Sequence, residues 1–115
     1  MERFNFGAES FAPRDERLEA VTIAPLTAPG AVQAAIFRLE PGGRIARHPA
    51  TVRQVLAVLE GSGHVSGDDG AFQPIAAGEA VFWDAGEEHE TVSDGGLTAL
   101  VLEAAELRPP PRRPR

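Results

Sequence analysis

Four residues set the chemistry open to this chain. His48 and Gln54 lie in the stretch GGRIARHPATVRQVLAVLEGSG (42–63), and His89 lies in GEAVFWDAGEEHETVS (78–93). The remaining histidine, His64, directly follows the GSG of 61–63. Imidazole nitrogens suit Zn, Fe, Mn, Ni or Cu, and an amide oxygen is a weaker, neutral ligand. Residues of one parity share a face of a strand. His48, Ala50, Gln54, Leu56 and Val58 therefore point the same way unless a bulge intervenes. His89 opens a later strand, just past the turn Asp84-Ala85-Gly86. Two strand-borne histidines near turns can converge on one ion. They can equally form a buried polar pair bonded to each other or to water.

Other chemistry finds little support. The chain has no cysteine, which excludes disulfides, thiolate metal sites and a cysteine nucleophile. Ser10, Ser62, Ser66 and Ser93 sit in no recognisable nucleophile motif. GSGHVSG (61–67) lacks the spacing and the following helix of a nucleotide-binding loop.

The elements that must position these residues read as β-strands. Short apolar stretches alternate with Gly, Pro and Asp turn signals at a spacing of roughly ten residues, and no segment keeps a helical period. The expected strands cover 18–26, 31–40, 44–48, 53–61, 64–67, 71–77, 80–85, 89–93 and 97–106. Turns fall at PGG (41–43), GSG (61–63), GDDG (67–70) and DGG (94–96), where residues tolerant of positive φ are required. So many short strands suit a closed or double-sheet all-β architecture with little helix, which also removes exposed edges.

At 115 residues the chain makes one domain. Residues 1–17 read as an N-terminal arm, 18–107 as the β-barrel, and 108–115 as a Pro/Arg-rich tail that is solvated and disordered. All eleven basic residues are arginine, a composition that suggests a GC-rich bacterial genome. The formal charge is −6, and removing the tail's four arginines from it leaves −10 for the body. An acidic body argues against nucleic-acid binding, which neutralises phosphates with basic faces. No apolar run reaches the roughly 20 residues of a membrane helix, and the polar start is unlike a signal peptide. The expectation is a cytoplasmic protein without membrane or nucleic-acid partners. A homodimer is expected, because a small barrel leaves an outer apolar face to cover.

The two histidine-bearing stretches resemble the paired motifs of the cupins. The first cupin motif runs G-x5-H-x-H-x3,4-E-x6-G. Here Gly42, His48, Ala50, Gln54 and Gly61 stand at those positions. The second runs G-x5-P-x-G-x2-H-x3-N, and Gly78, Asp84, Gly86, His89 and Ser93 stand at its positions. With the strands around them, the motifs cover about residues 30 to 105. The resemblance implies a double-stranded β-helix, or jelly-roll barrel. It also implies a divalent metal, which in cupins is held by three histidines and one glutamate. On the matching positions His48, Gln54 and His89 become metal ligands. Ala50 and Gln54 depart from the pattern, removing one imidazole and one negative charge.

His64 is the candidate replacement donor, provided that it faces inward; otherwise it is a pocket-lining or surface residue. Phe37, Leu56 and Trp83 are candidate walls of a ligand pocket, with core packing the plainer role for each. Glu87, Glu88 and Glu90 flank His89, and carboxylates so placed raise a histidine's pKa unless they are simply solvated. The resulting expectation is a small cupin barrel that binds a divalent transition metal (Zn, Ni, Fe or Mn) through a histidine pair. It would take a small organic ligand in the barrel interior and act as a metal-dependent oxygenase or isomerase. The alternative is a metal-free small-molecule-binding or sensor barrel without catalysis.

Overall fold

A computed structural model describes residues 17–25 and 31–108. The N-terminal arm and the Pro/Arg tail lie outside the described residues, Arg17 and Arg108 excepted. Seven strands are present among the described residues. They are β1 (Leu18–Pro25), β2 (Val32–Pro49), β3 (Gln54–Ser66), β4 (Gln73–Ala76), β5 (Ala80–Trp83), β6 (Glu88–Ser93) and β7 (Leu97–Ala104). No helix occurs among the described residues.

Two of the expected turns are bends inside long strands. The segments 31–40, Ala31 excepted, and 44–48 are both part of β2, which runs through Pro41-Gly42-Gly43 without a break. The segments 53–61 and 64–67 likewise merge into β3, except for Arg53 and Gly67. Gly42 at φ 83° and Gly61 at φ 80° absorb the bends. A side chain at Gly61 would also collide with the Gly96 carbonyl just before β7, so that position needs glycine for close approach as well as for φ.

These bends let each long strand serve two neighbours. The first half of β2 pairs with β7 and its second half with β6. The first half of β3 also pairs with β7, and its last residues pair with β6. The cycle β2–β6–β3–β7 therefore closes on itself as an antiparallel jelly-roll barrel. Only β1, β4 and β5 remain as edges, and the last two have four residues each. Alternation points Leu56 and Val58 on β3 and Leu97, Ala99 and Val101 on β7 into one core with Leu39, Ile45 and Trp83. Burying such side chains stabilises the fold by roughly 1.5–3 kcal/mol each.

Candidate functional site

The barrel encloses a cavity of about 180 Å³ beside this core. Its polar face carries His48, His89, Gln54 and Thr91, and its apolar wall includes Phe37, Leu56 and Trp83. Ile23 and Ile45 complete the wall, while Arg17, Leu18 and Glu103 also line the space.

Strand register explains why these side chains meet. His48 on β2 stands directly opposite His89 on β6. The β2–β6 register slips between Ile45 and His48. That irregularity changes the phase of alternation, so Ile45 and His48 both face the cavity despite opposite parity. The imidazole centroids are 4.4 Å apart and the rings are tilted by 52°. On the other side of His89, the Trp83 ring lies at 4.5 Å. Trp83 is anchored by its indole N–H, which donates to the Ser66 carbonyl at 3.1 Å. A second row crosses β5, β3 and β7, where Gln54 pairs in register with Trp83 on one side and Glu103 on the other.

Hydrogen bonds fix how the imidazoles are presented. His48 Nδ1 lies 2.7 Å from the Ala46 carbonyl, and His89 Nδ1 lies 3.1 Å from the Glu87 carbonyl. A carbonyl only accepts, so each Nδ1 carries the proton and each Nε2 of the neutral ring offers a lone pair. His89 is 1 % exposed, and its Nε2 has no hydrogen-bond partner among the described residues. Burial pushes the His89 pKa below its ordinary value of 6.5. The nearby His48 charge adds to this, while the Glu87 hydrogen bond and the Glu87 and Glu88 charges oppose it. The expected upward pull of the flanking carboxylates is thus real but outweighed by desolvation. Glu90 turns away toward Arg44, 3.9 Å distant.

His64 does not join the pair. It is exposed and stands opposite Pro74 on β4 and Val92 on β6, while its neighbours Gly63 and Val65 are buried. Alternation along β3 therefore puts its imidazole on the outer face, correcting the expectation of a third inward donor. Ala50 is buried and carries no donor, and its backbone is tied to Gly86 and Glu87. Sequence reasoning passed over Thr91 and Glu103. Thr91 shares a face with His89 two residues on, and Glu103 continues the inward parity of Leu97, Ala99 and Val101, so the signal was present in the alternation. A larger, more open depression of about 330 Å³ lies across Trp83, against Asp68, Asp69 and Glu87, and contains no histidine.

The donor set suits a metal in part. Two imidazoles with carbonyl-bound Nδ1 atoms and free Nε2 lone pairs are presented as metal-binding histidines usually are. An orphaned buried nitrogen is a group awaiting a partner. Among the described residues no group of three His, Asp or Glu side chains converges to hold an ion. The protein's share of a coordination shell is therefore two imidazoles and, at most, the neutral Gln54 amide.

Residues 35–104 match the family model described as the Cupin domain. The chain is 33 % identical over 92 residues to an (R)-mandelonitrile lyase from Granulicella tundricola, covering 77 % of this chain and 70 % of that protein. Among solved structures it is similar to the polyketide cyclase RemF from Streptomyces resistomycificus. That similarity has a TM-score of 0.76 and 25 % identity, over 96 % of this chain and 82 % of that one. An RmlC-like cupin from Shewanella frigidimarina superposes with a TM-score of 0.76 at 22 % identity, over 91 % and 92 % of the two chains. With both motifs on the closed barrel and the family model spanning most of the described strands, this chain belongs to the cupin family.

Proposed function

We propose that this cupin is a lyase for small, largely apolar molecules that carry a hydroxyl group, with aromatic hydroxynitriles as the leading substrate class. His48 and His89, through their Nε2 atoms, and the Gln54 amide would hold a divalent transition metal. The observation that carries this reading is the buried, unpartnered Nε2 of His89 beside the His48 ring, at the wall of an otherwise mainly apolar cavity. The lyase and cyclase named above favour making or breaking carbon–carbon bonds over the dioxygen chemistry that cupins also perform.

The cavity volume equals about six waters, enough for a ligand built on one small ring. Phe37, Leu56 and Trp83 would bind that ring and exclude water from the reacting end. In such a cleavage the hydroxyl loses its proton and the carbonyl forms. The bond to the nitrile carbon breaks, its electrons leave with cyanide, and the hydroxyl proton passes by way of water to that cyanide, which departs as hydrogen cyanide. When bound, the metal supplies positive charge against the substrate oxygen. The neutral state of His89, favoured by burial, keeps its lone pair free for ligation near pH 7. Gln54 is uncharged, so the site holds its ion less tightly than a carboxylate-bearing one.

Release of benzaldehyde from mandelonitrile, followed by the aldehyde's ultraviolet absorbance, tests this reading. Wild type should exceed the buffer rate, His48→Ala and His89→Ala should lose at least about 100-fold, and His64→Ala should retain full rate. Equal rates in wild type and both cavity variants would overturn it. A second reading is favoured by Ala50 and by the lack of a third strong donor. In it the barrel binds a small molecule without metal or catalysis, and saturable binding without turnover identifies it.

A further inference from the structure

We infer that Glu103 makes the cavity select ligands that donate a hydrogen bond or carry a positive charge, and reject carboxylates. This inference rests on the reading that the cavity holds a small molecule. Glu103 stands on β7, in register with Gln54 on β3. It is half-buried and lines the cavity that His48 and His89 line. Its carboxylate makes no hydrogen bond or ion pair with another described side chain.

The remaining polar groups sharpen this bias. The Nε2 lone pairs of the two imidazoles and the Gln54 amide oxygen are also acceptors. The Gln54 NH2 and the Thr91 hydroxyl are the exceptions, each able to donate. Arg17 is the one cation among the described residues lining the cavity, but it is exposed and already engaged by another interaction. An engaged cation in water is screened, whereas a partly desolvated carboxylate without a partner acts at closer to full strength. A ligand ammonium or hydroxyl satisfies Glu103, and a ligand carboxylate meets like charge in a confined, mainly apolar space.

In metal-free protein held in chelator, three probes of nearly the same shape separate these effects: benzylammonium, benzyl alcohol and benzoate. Trp83 is the only tryptophan, there is no tyrosine, and Trp83 lines the cavity, so its fluorescence reports binding without a label. Wild type should bind benzylammonium at least about tenfold more tightly than benzoate. Glu103→Gln should lower benzylammonium affinity and raise benzoate affinity, each by about tenfold, with benzyl alcohol changing by less than about threefold. Glu103→Asp should keep the wild-type order, which separates the charge from a packing effect. The same benzylammonium-to-benzoate ratio in wild type and Glu103→Gln would overturn this inference while leaving the small-molecule cavity standing. Failure of all three probes to bind wild type would overturn both.

Discussion

Replacing His89 with phenylalanine should make the metal-free protein more stable while disabling the site. The imidazole is 1 % exposed and its Nε2 has no partner among the described residues, and a buried acceptor left unsatisfied costs about 1–3 kcal/mol. Its Nδ1–H bond to the Glu87 carbonyl, at 3.1 Å, returns about 0.5–1.5 kcal/mol. Phenylalanine removes both terms. The Glu87 carbonyl is not orphaned, because the Ala50 N–H also donates to it at 2.9 Å. The new ring still packs on Trp83, and the adjoining cavity accommodates its extra volume. The net gain is about 1 kcal/mol, or about 4 °C in Tm for a domain of this size.

The pH dependence supplies a sign. Burial lowers the folded-state pKa of His89 below 6.5. The unfolded chain takes up this proton as pH falls through its ordinary value, and the folded chain does so only at lower pH. Acid therefore favours unfolding: the stability is present above 6.5 and is lost as pH falls through the folded pKa. The variant lacks this term, so its advantage should widen between about pH 7.5 and about pH 5.5. Urea unfolding in chelator, followed by far-ultraviolet circular dichroism, measures both effects. A variant less stable than wild type, or an advantage that shrinks on acidification, would refute the reasoning.

Three more outcomes follow from the same geometry. Leu56→Ala empties a fully buried position that also lines the cavity, and should cost about 2–5 kcal/mol in urea unfolding. His64→Ala removes an exposed side chain from the outer face, and should change stability by less than about 0.5 kcal/mol and leave metal content unaltered. Ala50→His combined with Gln54→Glu adds a donor and a charge at motif positions, and should tighten Ni or Zn binding by at least about tenfold in a competition titration. Unchanged affinity would mean that those two side chains do not address the ion.

The glycine spacing and the strand alternation carried the barrel and most of its cavity. Gly42, Gly61, Gly78 and Gly86 all adopt positive φ, which is why their spacing was informative. The number of strands was misread because Gly42 and Gly61 bend long strands rather than end them. A glycine signals backbone freedom in both cases, and only the pairing partners tell the two apart. His48, Gln54, His89, Phe37, Leu56 and Trp83 do line one cavity. The phase slip between Ile45 and His48 was not legible, since it depends on register against β6. The side occupied by His64 depended on treating 61–63 as a turn. Once β3 runs on through Gly63 to Val65, alternation turns His64 outward. Glu103 was passed over because a glutamate near the end of an apolar strand reads as a solvated end.

Metal content tests the central claim, that the Nε2 atoms of His48 and His89 are built to share an ion. Tag-free protein purified without added metal should be quantified by mass spectrometry, before and after equilibration with millimolar Zn, Ni, Mn or Fe and desalting. The expected result is near one metal per chain in wild type and in His64→Ala, falling to background in His48→Ala and His89→Ala. A wild type that is metal-free and gains no metal under these conditions would contradict it.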